Sequence, residues 1–141
     1  MPIKFFKEDT NFQLKERIRL KKWINYVIQD EGFIQGDINF IITSDKYLLK
    51  INKEYLSHNF YTDIVTFNYC EEPNINGDIF ISIDTIKNNS TRFSVSFLEE
   101  LHRVMIHGIL HLIGYDDQSD EEKDAMIQKE NFYLERLKNL F

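Results

Sequence analysis

Cys70 is the only cysteine among the 141 residues, and proline and glycine are also scarce, with two and five residues. A lone cysteine cannot form an intrachain disulfide, so nothing in the chain requires an oxidising compartment. It also cannot supply the cysteine-rich ligand set of most structural zinc sites, so any metal here would need nitrogen and oxygen ligands. The 43% hydrophobic and 14% aromatic content argues against a disordered chain.

A long hydrophobic run is also missing. No apolar stretch approaches the ~18 residues of a membrane-spanning helix, and the opening MPIKFFKEDT lacks the layout of a signal peptide. We therefore expect a soluble, cytoplasmic protein with no membrane partner. A chain of this length buries one hydrophobic core, which predicts a single domain covering residues 1–141.

The chain has no excess of positive charge. Its formal net charge is -6, whereas nucleic-acid-binding domains are usually basic. The charge is uneven, with ten Lys and Arg against eight Asp and Glu in residues 1–58, and seven against fifteen in residues 59–141. Any contact with a polyanion would therefore favour the first half, where KERIRLKK (15–22) holds five basic residues, although such a run taken alone is more often a solvated helix face.

Hydrophobic periodicity and turn residues predict four strands and five helices. The predicted strands are Ile3–Phe6, Asp37–Thr43, Ile64–Tyr69 and 78–82. The predicted helices are Asn11–Asp30 with Asn11 as N-cap, Ser44 or Asp45 to about Asn52, Asp84–Ser90, about Phe97–Leu112 behind a Ser96/Glu99 capping box, and one from Ser119 toward Leu140. Residues 56–63 are expected to form a loop and EEPNING (71–77) a turn. This order predicts an α+β (mixed α/β) domain, a small four-stranded sheet packed with about five helices.

The segment HGILHLIGYDD (107–117) carries the strongest chemical signal. His107 and His111 are four residues apart, so on a helix both imidazoles lie on one face and can reach one ion. Gly114 favours the end of that helix, after which the chain can turn back and bring Asp117 to the same point. Two histidines and one carboxylate leave a fourth position for water, which is typical of a catalytic zinc site at the end of the central helix.

A related spacing occurs in metalloproteases, where a glutamate follows the first histidine and acts as the general base. Here that position is Gly108. A metalloprotease is therefore only a minor alternative.

The string HGILHLIGYD resembles the signature of the YbeY family of metal-dependent endoribonucleases, and TDIVTF (62–67) and GDIFIS (77–82) resemble two of its strand motifs. The resemblance implies one bound Zn²⁺ and hydrolysis of single-stranded RNA in 16S rRNA 3′-end maturation and ribosome quality control. It also implies rRNA precursors and the small ribosomal subunit as partners, and no DNA. The chain departs from the family pattern at Asp117, where the family has histidine, and at Leu56, where the family has arginine.

Other polar residues near these motifs are weaker candidates. His58 can contact a phosphate or act as acid or base, although an exposed loop histidine is the simpler alternative. Asp116 competes with Asp117 as third ligand, but we expect it either to orient a ligand without touching the metal or to form part of the turn. Thr62 and Asp63 are expected to fix the start of a strand, and His102 to be structural. Glu100 is a further, less favoured candidate for orienting His107.

Two functional hypotheses follow from these residues. The first is a zinc-dependent, single-strand-specific endoribonuclease. The second is a ribosome-associated assembly factor in which zinc mainly organises the site, motivated by Leu56, Asp117 and the negative net charge.

Overall fold

A computed structural model describes residues 2–57 and 62–141. The strands are β1 (Ile3–Glu8), β2 (Ile34–Thr43), β3 (Ile64–Asn68) and β4 (Asn74–Ser82). The helices are α1 (Arg17–Asp30), α2 (Asp45–Leu56), α3 (Ile83–Arg92), α4 (Phe97–Ile113) and α5 (Asp120–Leu140). The predicted α+β class, the four-stranded sheet and the five helices are confirmed.

The four strands form one mixed sheet in the order β1-β2-β4-β3. β1 and β4 each pair with β2 in parallel, and β3 pairs with β4 antiparallel. Because successive side chains of a strand alternate between faces, Ile79 and Phe80 of β4 point to opposite sides of the sheet. α4 packs on the Ile79 side, and Tyr55 of α2 contacts Phe67 next to Phe80 on the other side.

α4 is buried between the sheet and the helices α1, α3 and α5. Trp23 of α1 is fully buried, and its indole Nε1–H donates a hydrogen bond to the carbonyl oxygen of Tyr133 in α5, at 2.8 Å. The core thereby fixes α5 against α1 and α4. Among the described residues, no helix is both long and apolar enough to span a membrane.

Several predicted boundaries were wrong. The first helix starts at Arg17, not after an Asn11 cap, because Phe12 and Leu14 pack on the core from an extended segment and Glu16 adopts a left-handed backbone with φ 60°. The predicted turn 71–77 is strand from Asn74 onward, because β2 and β4 already pair at Ile34 and Asn74, before the apolar residues from which the two strands were predicted. α2 also continues past Asn52 to Leu56.

Candidate metal centre

The two histidines of the signature lie in the last two turns of α4. Ser96 caps this helix by accepting a hydrogen bond from the Glu99 backbone N–H at 3.1 Å, and Gly114, with φ 124°, follows its last residue. The rings of His107 and His111 are 4.5 Å apart between centroids. The predicted spacing therefore places both imidazoles side by side at the carboxyl end of the helix.

The chain turns back after Gly114 and brings Asp117 to the two rings. Tyr115 N–H closes the turn on the Leu110 carbonyl oxygen at 3.0 Å. Oδ2 of Asp117 then lies 3.4 Å from Nε2 of His107 and 3.6 Å from Nε2 of His111. One potential ligand atom of each residue lies within 4.8 Å of the other two. The three side chains predicted from sequence converge and can hold a metal ion.

Hydrogen bonds at the opposite ring nitrogens decide which nitrogen is free to bind. Nδ1 of His111 lies 3.0 Å from the carbonyl oxygen of Tyr115. Because a carbonyl can only accept, Nδ1 carries the proton, and the neutral ring has its lone pair on Nε2. Nδ1 of His107 similarly lies 2.5 Å from Oε2 of Glu130. Both Nε2 atoms on the Asp117 side are thus prepared as ligands, the usual arrangement around metal-binding histidines.

Glu130 is the residue that sequence reasoning missed. It projects from α5, is only 4% exposed, and also accepts a hydrogen bond from Nη1 of Arg103 at 2.9 Å. Burial alone would lower the pKa of His107, but the hydrogen bond and negative charge of Glu130 outweigh it and raise that pKa. A signal was present, because Glu130 shares the buried face of α5 with Met126, Tyr133 and Leu137. A carboxylate on such a face needs a polar partner.

A second acidic residue supports the loop that follows α4. Oε1 of Glu31, just after α1, accepts a hydrogen bond from the Tyr115 hydroxyl at 2.5 Å, and its Oε2 accepts one from Nζ of Lys129 at 3.1 Å. Tyr133 also bonds to Glu31. The burial of Glu31 opposes ionisation, but the bonds from Tyr115, Tyr133 and Lys129 prevail and lower its pKa. Glu31 therefore holds the residue whose carbonyl orients His111.

A cleft of about 300 Å³ opens beside His107 and Asp117. It is also lined by the acidic residues Asp63, Glu100 and Glu130, the basic residues Arg103 and Lys123, and the apolar residues Val104, Met126 and Ile127. Desolvation by burial raises the pKa of both Asp63 and Glu100, and their neighbouring carboxylates add to the effect. The cleft can therefore both hold a proton and admit a ligand next to the metal-binding atoms.

The structure gives different roles to the weaker candidates near the motifs. Oδ1 of Asp116 accepts a hydrogen bond from the Asp117 backbone N–H at 2.8 Å, so Asp116 takes part in the turn. Asp63 fixes the strand start through its carbonyl, which accepts from Ser82 N–H at 2.9 Å, but it also lines the cleft, which was not predicted. Glu130 rather than Glu100 bonds to His107. His102 is 8% exposed and packs against Trp23, as a structural residue would.

Leu56, where the family has arginine, is the last residue of α2. His58, the candidate acid or base, lies outside the described residues. Gly108 stands where metalloproteases have their general base. A Cβ atom at Gly108 would lie 2.9 Å from Cδ1 of Ile64 and from Cγ2 of Ile79. The position that carries the general base of metalloproteases thus faces the sheet and has no room for a carboxylate.

Comparisons with known proteins find relatives over almost the whole length of this chain. The family model described as "Endoribonuclease YbeY" matches residues 4–138. The Endoribonuclease YbeY of Cytophaga hutchinsonii is 45% identical over 133 residues, covering 94% of this chain and 93% of that protein. The Karelsulcia muelleri protein of the same name is 46% identical, with 94% of each chain covered. A solution structure from Thermotoga maritima superposes with a TM-score of 0.69 at 28% identity, covering 96% of this chain and 89% of that one.

The family model extends from β1 almost to the end of α5, and so includes the whole sheet together with His107, His111, Asp117 and Glu130. The chain therefore belongs to the YbeY family.

Proposed function

We propose that this protein is a zinc-dependent endoribonuclease that hydrolyses single-stranded RNA, with His107, His111 and Asp117 as the metal ligands. The observation that carries the proposal is the convergence of the two Nε2 atoms and the Asp117 carboxylate, with each Nδ1 already bonded to the protein. Two imidazoles and one carboxylate suit Zn²⁺ and leave a coordination position open. When bound, such an ion supplies Lewis acidity and lowers the pKa of water.

The chain's own groups have separate parts in this proposal. Glu130 and the Tyr115 carbonyl orient the two imidazoles, and the cleft beside them receives the RNA. Asp63 lines that cleft and its pKa is raised, which makes it a candidate general acid or base. His58 is a second candidate, proposed from the sequence alone. Arg103 lines the cleft but is paired with Glu130. Lys123 also lines the cleft, and we propose that its ammonium group binds a phosphate of the RNA.

The names of the curated relatives support the endoribonuclease class. For the biological substrate we propose rRNA precursors, with cleavage at the 3′ end of 16S rRNA and a part in ribosome quality control. This function places the protein in the cytoplasm, in contact with the small ribosomal subunit.

Two adjacent aspartates provide a matched test. Asp117→Asn removes the carboxylate aimed at both histidines, whereas Asp116→Asn keeps an acceptor for its turn hydrogen bond. Purified protein should contain about one zinc ion per chain and cleave a single-stranded RNA. Asp117→Asn should lose most of the metal and the cleavage, whereas Asp116→Asn should resemble the wild type. RNA cleavage that survives complete loss of metal from Asp117→Asn would refute the metal-dependent mechanism.

A second candidate function is a ribosome assembly factor in which the metal mainly organises the site. It is favoured by the cleft, where carboxylates outnumber cations, and by Leu56 at the position of the family arginine. This alternative predicts that His111→Ala still co-sediments with small subunits and restores growth to cells that lack the protein. The endoribonuclease proposal predicts that the same variant fails to restore growth.

A further inference from the structure

The candidate metal centre attracts a cation more readily than a polyanion. Asp63, Glu100, Asp117 and Glu130 line its cleft, and Arg103, one of the two basic residues in the described part of the lining, is already paired with Glu130. Affinity for nucleic acid comes largely from neutralised phosphates. An RNA substrate of the proposed nuclease therefore needs cations elsewhere on the protein.

A larger groove, of about 1030 Å³, lies between the start of α1 and the end of the chain. We call it the basic groove, because Arg17, Arg19, Lys21 and Lys22 line it and Glu16 is the only acidic side chain among the described residues that line it. The groove is also lined by Leu14, by the exposed side chain of Ile18 and by Leu140 and Phe141.

The basic groove keeps an excess of free positive charge. The Arg19 guanidinium forms an ion pair with Glu16 at 3.0 Å, so the charges of these two residues cancel. It also donates a hydrogen bond to the Leu137 carbonyl oxygen at 3.0 Å. Within residues 2–57 and 62–141, no carboxylate forms an ion pair with Arg17, Lys21 or Lys22. Three cations are thus concentrated on one surface of a protein whose net charge is -6.

Aromatic rings lie directly beside these cations. The Arg17 guanidinium and the Lys21 ammonium lie 6.0 and 5.9 Å from the centre of the Phe5 ring. A second, smaller cleft, lined by Phe5, Phe6 and Phe12, shares Arg17 with the basic groove. Cations alone would suit any polyanion, but cations interleaved with aromatic rings are typical of surfaces that bind single-stranded RNA, because every base can stack on a ring.

We propose that the basic groove and its aromatic border form a second RNA-binding site, which anchors single-stranded RNA away from the metal centre. This rests on the proposed function. Lys21 precedes Glu31 by ten residues, about 15 Å at 1.5 Å per residue, and Glu31 bonds to Tyr115 beside the metal centre. A substrate that occupies both sites therefore spans at least about four stacked nucleotides at about 3.4 Å each.

Binding without cleavage tests the site independently of the nuclease proposal. Lys21→Gln/Lys22→Gln is compared with Lys50→Gln/Lys53→Gln, which removes the same charge from exposed positions of α2. Fluorescence anisotropy with a labelled 20-nucleotide RNA in EDTA gives the affinity as a function of salt. At 0.1 M salt the groove variant should bind about 25-fold more weakly, and its slope of log K against log salt should fall by about 1.4, because each single-strand phosphate contact contributes about 0.7 to that slope. The α2 variant should stay within about twofold of the wild type.

Equal affinities of the two double variants would overturn the proposal. A groove variant that keeps its RNA affinity but loses binding to poly-glutamate would also overturn it, and would assign the groove to an acidic protein. Arg17→Gln provides a further check if the double variant folds poorly.

Substrate length separates this inference from the proposed function. A dinucleotide cannot span both sites, so its cleavage by the groove variant should match the wild type, whereas KM for the 20-nucleotide RNA should rise by at least tenfold with kcat unchanged. Equal losses on both substrates would contradict a separate anchoring site. If the wild-type protein cleaves neither substrate, the nuclease proposal fails while the binding result still stands.

Discussion

His107 and His111 each use one ring nitrogen to bond to the protein and direct the other toward Asp117. The acceptors that fix this arrangement come from distant parts of the chain, Glu130 in α5 and the Tyr115 carbonyl held by Glu31. The ligands themselves could be predicted from the spacing of HGILHLIGYDD. The position of Glu130 on the apolar face of α5 signalled that it needs a polar partner, but the partners of Glu130 and Glu31 could not be predicted, because they depend on which helices pack together.

Glu130→Gln should weaken zinc binding by 10- to 100-fold, the range typical for losing a carboxylate that orients a metal-bound histidine. The amide keeps the size of the side chain but removes the charge that holds Nδ1–H of His107 and pairs with Arg103. Competition with a chromophoric chelator measures the affinity. Glu135→Gln, at an exposed position of the same helix, is the matched control and should leave affinity unchanged. Equal affinities for the two variants would show that Glu130 does not orient the ligand.

His102 gives a prediction for stability against pH. Its burial, aided by the positive charge of Arg19, lowers its pKa below the ordinary value near 6.5. A neutral buried histidine contributes stability that is fully present above the unfolded pKa and is lost as pH falls toward the folded pKa. Between pH 7.5 and 5.5 in EDTA, the wild type should therefore lose more thermal stability than His102→Asn. Parallel Tm curves for the two proteins would contradict a lowered pKa.

At the scale of elements, the ends of the helices differ in how well the sequence predicts them. The start of α4 was predicted from Ser96 and its end from Gly114, because caps are encoded by residues within one turn. The full Ser119/Glu122 capping box likewise marks the start of α5. The start of α1 was predicted wrongly because tertiary contacts of Phe12 and Leu14 override the local helical pattern. Local signals therefore predict the elements best where packing does not compete with them.

Gly108→Ala should destabilise the fold although alanine favours a helix by about 1 kcal/mol over glycine. The new Cβ would lie 2.9 Å from Cγ2 of Ile79 and from Cδ1 of Ile64. Overpacking of this kind costs about 1–3 kcal/mol, so a net loss of about 1 kcal/mol in unfolding free energy is expected by urea denaturation. The loss should be smaller when the same change is made in an Ile79→Ala background, which provides space. An identical loss in both backgrounds would mean that the contact with Ile79 is not its cause.

At the scale of the whole molecule, the charges divide the protein into an acidic cleft for a cation and a basic groove for a polyanion. The excess of basic residues near the start of α1 was visible in the sequence as KERIRLKK, and the structure adds the aromatic rings beside it. The four carboxylates of the cleft come from α4, α5, and the segments before β3 and after α4. Their proximity could not be read from the sequence, because it depends on how α5 folds back over α4.

If a cation offsets this concentration of carboxylates, its removal should lower the stability of the entire fold. A ligand that binds only the folded state at 100 times its Kd contributes about 2.7 kcal/mol, which for a chain of this size corresponds to a Tm shift of about 10 °C. Zinc-loaded wild type should therefore melt about 10 °C lower after EDTA treatment, and Asp116→Asn should respond in the same way. Asp117→Asn should show little shift, since it lacks the carboxylate shared by both histidines. A wild-type Tm that EDTA leaves unchanged would mean that the three side chains do not bind zinc tightly enough to couple it to folding.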